Sequence, residues 1–115
     1  MAKITALQFL VPVKNLDAAA KFYTEVFDLR EMFRNEGVVF VGIPGSDSAL
    51  GLLLIPDEAG QGPRHVGLHL DHDLDRDEVL TAIEASGGNI VERGEHAPGV
   101  QFARIADPDG NVLEI

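Results

Sequence analysis

The sequence predicts an α+β fold of two strand-helix-strand-strand-strand modules, residues 1–58 and 64–115, related by a pseudo-two-fold and together forming one structural domain. Three observations predict it: an internal repeat, an amphipathic helical stripe in each half, and the same order of elements around both. Gly37-Val38-Val39-Phe40-Val41-Gly42-Ile43 recurs 62 positions later as Gly99-Val100-Gln101-Phe102-Ala103-Arg104-Ile105, identical at Gly, Val, Phe and Ile. Neither half can bury both its sheet and its helix stripe alone, so two copies must cooperate, within one chain or across a dimer.

In chain order, Leu7 to Val13 reads as a strand, and Asn15 can cap the helix that follows. That helix carries Leu16, Ala19, Ala20, Tyr23, Val26 and Phe27 at the spacing of one apolar face. The first repeat copy is then a strand, Pro44-Gly45-Ser46-Asp47-Ser48 a turn, and Ala49 to Ile55 a strand. Asp57-Glu58-Ala59-Gly60-Gln61-Gly62-Pro63 reads as a linker. His65 to Leu70 opens the second half as a strand, and Asp75 can cap a helix that turns Val79, Leu80 and Ile83 inward. Gly87 is placed to end that helix in a left-handed conformation. The second repeat copy, the turn Asp107-Pro108-Asp109-Gly110 and the strand Asn111 to Ile115 close the chain as given.

Composition narrows the function. The 115 residues are 45% hydrophobic and 24% charged, the balance of a soluble globular domain. There is no cysteine, which removes disulfides, thiolate metal sites and cysteine nucleophiles, and suits a reducing cytoplasm. A formal charge of -10 repels phosphate backbones and anionic membrane surfaces, so neither nucleic acid nor membrane is an expected partner. The stretch Ile4 to Val13 is interrupted by Gln8 and Pro12 and reads as neither signal peptide nor membrane span.

Val11-Pro12-Val13-Lys14-Asn15-Leu16-Asp17, Phe22-Tyr23-Thr24-Glu25-Val26-Phe27, His65-Val66-Gly67-Leu68-His69-Leu70, Ser86-Gly87-Gly88 and Asp107-Pro108-Asp109-Gly110-Asn111-Val112-Leu113-Glu114 carry a further signal. Together they resemble the vicinal oxygen chelate superfamily, which contains glyoxalases, extradiol dioxygenases, fosfomycin-resistance enzymes and bleomycin-resistance proteins. The resemblance spans essentially the whole chain and implies paired βαβββ modules whose mixed sheets curl around a cavity. It also implies four metal positions, two per module. Carried over residue by residue, the first falls on Gln8, the third on His65 and the fourth on Glu114. The internal offset puts the second on Leu52, which cannot ligate.

An amide oxygen, a neutral imidazole and a carboxylate can hold one divalent ion (Fe, Mn, Ni or Zn) and leave positions open for a chelating substrate. Glu114 would then serve catalysis as well as ligation, whereas glyoxalase I chemistry lacks the acidic second ligand that takes part in proton transfer. Glu114 is also an acid in an otherwise apolar strand, which calls for a partner. His69 is four residues from His65, roughly 13 Å along a strand, so it lines another part of the cavity or packs in the core rather than sharing the ion. His72 and His96 lie in polar sequence and read as solvated loop residues. The run Asp71, Asp73, Asp75 and Asp77 reads as helix capping and surface charge, since it lacks the glycine and distal glutamate of a calcium loop. With one extra residue in the last hairpin, Phe102 and Arg104 share the face of Glu114; with a tight turn, Gln101 and Ala103 do. An inward Arg104 would offer a guanidinium to an anionic or carbonyl-bearing substrate. Phe40, Phe102 and Leu52 would supply apolar wall.

Two functions follow from this reading. One is a metal-dependent enzyme of lyase, isomerase or dioxygenase type acting on a small oxygenated molecule. The other is a metal-free protein that binds or sequesters a small molecule, as bleomycin-resistance proteins do. Either is expected to act as a homodimer with cavities formed by both chains, because small modules gain core by exchange.

Overall fold

A computed structural model of the protein describes residues 6–62, 66–70 and 75–115. The first module runs β1 (Gln8–Val13), α1 (Leu16–Phe27), β2 (Arg30–Arg34), β3 (Val38–Gly42) and β4 (Ala49–Leu54). A single 3₁₀ turn, Pro56–Glu58, follows. The second module runs β5 (Val66–Gly67), α2 (Arg76–Ala85), β6 (Asn89–Ala97), β7 (Val100–Ala106) and β8 (Val112–Glu114). The sheets have the same order in each module, β1-β4-β3-β2 and β5-β8-β7-β6. In both, the first strand pairs parallel to the last and the other pairs are antiparallel. The fold class is therefore the one the repeat implied. No helix among the described residues is long and apolar enough to cross a membrane.

Local chemistry sets the helices. The Asn15 side chain accepts from the Ala18 amide at 2.9 Å and starts α1. The Asp75 carboxylate accepts from the Asp77 amide at 2.9 Å and starts α2, which ends where Gly87 takes a positive φ of 92°. Helix α1 buries Ala19, Ala20, Phe22 and Tyr23 against its sheet, while Leu16, Val26 and Phe27 are half-buried beside them. Phe22 lay outside the predicted stripe. It meets the Tyr23 ring edge-on at 5.1 Å, which widens the apolar face by one position.

Period two divides each sheet into a buried face and an open one. In the first sheet the row Val11, Leu52, Val39 is buried; in the second, the row Val66, Leu113, Ile105 is buried. The open-face rows beside them are Leu10, Gly51, Phe40 and Gly67, Glu114, Arg104. Leu52 thus lies on the buried face, as Leu113 does and Glu114 does not, and is fully buried core rather than cavity wall. The offset misplaces it because the connecting turns differ by a residue. Gly42 pairs with Ala49 across the first, whereas Ala106 pairs with Val112 across the second.

The turn after β7 joins the modules. Asp107 is almost fully buried and accepts from the Tyr23 hydroxyl (2.7 Å), the Asp109 amide (3.0 Å), and the Asn111 amide (2.8 Å) and side-chain amide (3.1 Å). The Asn111 side chain also donates to the Pro12 carbonyl on β1 and accepts from the Gly62 amide. Asp109 accepts from the Lys14 amide. Burial pushes the Tyr23 hydroxyl well above its ordinary range, reinforced by the adjacent Asp107 charge. Burial likewise raises the Asp107 carboxyl above the ordinary carboxylate range, against the hydrogen bonds from Tyr23 and Asn111 that lower it. A carboxyl raised on folding leaves the fold most stable where it is protonated, and stability falls as pH rises through its folded value. Tyr23→Phe removes a bond that favours the ionised form and raises the carboxyl further. It should cost about 2 kcal/mol at neutral pH, with the difference from wild type shrinking as pH falls through the Asp107 titration. Urea denaturation of both proteins at pH 7 and pH 4 measures this.

Candidate functional site

The polar side chains of the second sheet converge on its open face. Arg104 and Glu114 are register partners on β7 and β8, and Phe102 is two residues from Arg104, so all three share one face. This is the longer-turn alternative of the sequence reading; Ala103 is buried on the other side. Across β7, Glu92 pairs with Arg104 and Gly94 with Phe102, and a bulge follows between Glu95 and Ala97. That bulge isolates His96 at the outer end of β6, over the same face.

The contacts form one connected group. The imidazole Nε2 of His96 lies 2.9 Å from Glu114 Oε2; a carboxylate only accepts, so this nitrogen carries the proton. The His96 ring stacks on Phe102 at 4.3 Å and 20°. The Arg104 guanidinium lies 5.1 Å from the centre of the Phe102 ring, donates to Glu92, and stands 3.7 Å from Glu114 Oε1. Gly94 makes room for the ring, because a Cβ there would come within 3.0 Å of it. Both carboxylate oxygens of Glu114 thus face protein donors.

An open cavity of about 730 Å³ lies against this group, lined among others by His69, Arg76, His96, Gln101, Phe102 and Glu114. Of the sequence-predicted residues, Glu114, His69 and Phe102 meet here, and Arg104 braces two of them. Gln8, Phe40 and Leu52 are not among the lining residues. Gln8 is exposed on the open face of the first sheet, and Phe40 is half-buried there, packed over Gly51 and 6.3 Å from the Phe33 ring. His65 and His72 lie outside the described residues. His96 corrects the sequence reading: it sits in a strand and touches Glu114 and Phe102, not a polar loop. Alternation along Glu92, Gly94 and His96, opposite Phe102 and Arg104, was the signal that could have found it.

The resemblance assigns a divalent ion to Gln8, His65 and Glu114. His65 lies outside the described residues, and of this set Gln8 and Glu114 are described. One Glu114 oxygen has His96 Nε2 at 2.9 Å and the other has the Arg104 guanidinium at 3.7 Å, a positive charge that opposes a second cation there. Gly51, on the open face of the first sheet, has no side-chain donor, and no three His, Cys, Asp or Glu side chains are grouped as ligands among the described residues.

The model of the Glyoxalase/Bleomycin resistance protein/Dioxygenase superfamily matches residues 5–115. The chain belongs to this superfamily. It is 28% identical to a probable lactoylglutathione lyase of Vibrio parahaemolyticus over 121 residues, 95% of this chain and 87% of that protein. Among solved structures, an antibiotic binding protein from a Streptomyces species superposes with a TM-score of 0.74 at 26% identity, covering 99% of this chain and 95% of that one. A lactoylglutathione lyase from Agrobacterium tumefaciens superposes with a TM-score of 0.70 at 24% identity, covering 94% and 89%. One superfamily scaffold thus carries both lyases and binding proteins, and the site must decide between them.

The bracing predicts the effect of filling the space under Phe102. Gly94→Ala should cost about 1 kcal/mol by displacing the ring, and should abolish the ring-current shift that Phe102 imposes on the His96 Hε1 proton. Urea denaturation and proton NMR check the two effects.

Proposed function

We propose that this protein is a metal-free member of the superfamily that binds a small molecule in the cavity beside Glu114. The observation that carries the reading is the Glu114 carboxylate on the cavity wall beside the Phe102 ring, with His96 at one oxygen and the Arg104 guanidinium 3.7 Å from the other. A cavity of about 730 Å³ that mixes the Phe102 ring with His69, Gln101 and Glu114 suits a small ligand with polar groups around an apolar body. The similarity to an antibiotic binding protein at 26% identity supports the same reading.

The competing reading is a metal-dependent lyase, isomerase or dioxygenase with the ion on Gln8, His65 and Glu114. It is favoured by the probable lyase at 28% identity. The two separate on elemental analysis of protein purified without chelator, paired with thermal shifts on adding Mn(II), Ni(II), Zn(II) and anaerobic Fe(II). Metal-free binding predicts no stoichiometric ion and shifts below about 1 °C. A stoichiometric ion that disappears in Glu114→Ala overturns it.

The ligand site is proposed to be completed in a homodimer working in the cytoplasm. Both sheets leave a face open, and the molecule is flat, 41 × 38 × 22 Å. Leu10 and Phe33 lie in one row across the open face of the first sheet and are 44% and 52% exposed. A second copy covers it. Phe33→Glu should therefore weaken self-association at least about tenfold while leaving the fold intact, which sedimentation equilibrium and circular dichroism measure.

A further inference from the structure

The binding reading leaves the ligand unnamed, and His96 points to its chemistry. The ring of His96 makes two contacts on this face, and they are of the kind a bound molecule would make. It stacks nearly parallel on Phe102 at 4.3 Å, and its Nε2 donates to Glu114 at 2.9 Å. Platform and acceptor are fixed. Phe102 rests over Gly94 with Arg104 against it, and Glu114 is held in β8 between β5 and β7. The occupant is not fixed in the same way: His96 is half exposed, sits at a bulge, and belongs to a stretch, Glu95 to Gln101, that is exposed throughout. A different side-chain rotamer at His96 would uncover the ring face and the carboxylate together.

We propose that the gap between the Phe102 ring and the Glu114 carboxylate is a subsite for a planar nitrogen heterocycle or amidinium bearing an N–H, and that His96 is its resident occupant. The proposal rests on the binding reading of the cavity and goes further by naming the ligand class. A planar ring supplies the stack and an N–H supplies the bond; a cation adds attraction to Glu114 and Glu92, partly offset by Arg104 on the opposite oxygen. His96 competes as a tethered ligand whose effective concentration is in the range of roughly millimolar, so free ligands must displace it.

Removing the occupant tests this with imidazole itself as the probe. Chelator-treated His96→Ala should bind imidazole in an NMR titration at least about tenfold more tightly than wild type. The cation 1,3-dimethylimidazolium, which keeps the ring and loses the N–H, should bind several-fold more weakly than imidazole. Adding Glu114→Gln or Phe102→Leu to His96→Ala should each return imidazole binding to the wild-type level. His96→Asn, which retains a polar side chain at the bulge, provides the same comparison if the alanine variant does not fold. Equal imidazole affinity in wild type and a folded His96 variant overturns the proposal, as does equal binding of the dimethylated cation. Neither readout involves a metal, so finding a stoichiometric ion in wild type would defeat the metal-free reading while leaving this titration to stand or fall alone.

Discussion

A carboxylate taken out of water has to be surrounded by donors, and the structure around Asp107 is arranged to meet that demand. Its acceptors are satisfied from three directions: the Tyr23 hydroxyl of α1, the backbone of its own turn, and the Asn111 side chain. Asn111 in turn reaches the Pro12 carbonyl on β1 and the amide of Gly62. The Tyr23 hydroxyl, the Pro12 carbonyl and the Gly62 amide lie outside the turn, so these bonds can all form only when the second module sits in one position against the first. A buried acid with partial satisfaction would be costly, and that cost specifies the arrangement more sharply than apolar burial, which tolerates sliding.

The same turn governs the open face of the second sheet. By placing Ala106 opposite Val112 it sets β8 in register with β7, which puts Glu114 beside Arg104 and directs Leu113 into the core. A slip of one residue would exchange these faces, burying an acid and exposing a leucine. The buried rows of both sheets thus protect the register on which the polar group depends. Between the modules, the open-face rows differ in chemistry: Leu10, Gly51 and Phe40 in the first, Gly67, Glu114 and Arg104 in the second. A duplicated frame carries an apolar wall on one side and a polar one on the other.

Within that polar wall, Phe102 acts as a spacer. Its ring lies over Gly94 and carries His96 on a face and Arg104 nearby, which brings both side chains to Glu114. The acid is neutralised locally in a molecule whose overall charge is -10. A ligand entering the cavity meets hydrogen-bonding groups whose geometry is set by packing, which favours recognition of shape and polarity over bare charge.

The sequence by itself determined the two modules, their order of elements, the helix caps at Asn15 and Asp75, and the family, because these rest on short-range signals: spacing, capping chemistry and a repeated strand. It also marked Glu114 as an acid needing a partner, and Arg104 and Phe102 as its neighbours under one of two turn lengths. Only the tertiary structure decided which turn length holds, that Leu52 belongs to the core with Gly51 beside it on the open face, and that the partners of Glu114 are His96 and Arg104. Those facts depend on strand register and on a bulge in β6, and a shift of one residue in either reverses a side chain's face. Local sequence leaves such shifts nearly equal in energy; the buried rows and the Asp107 junction separate them.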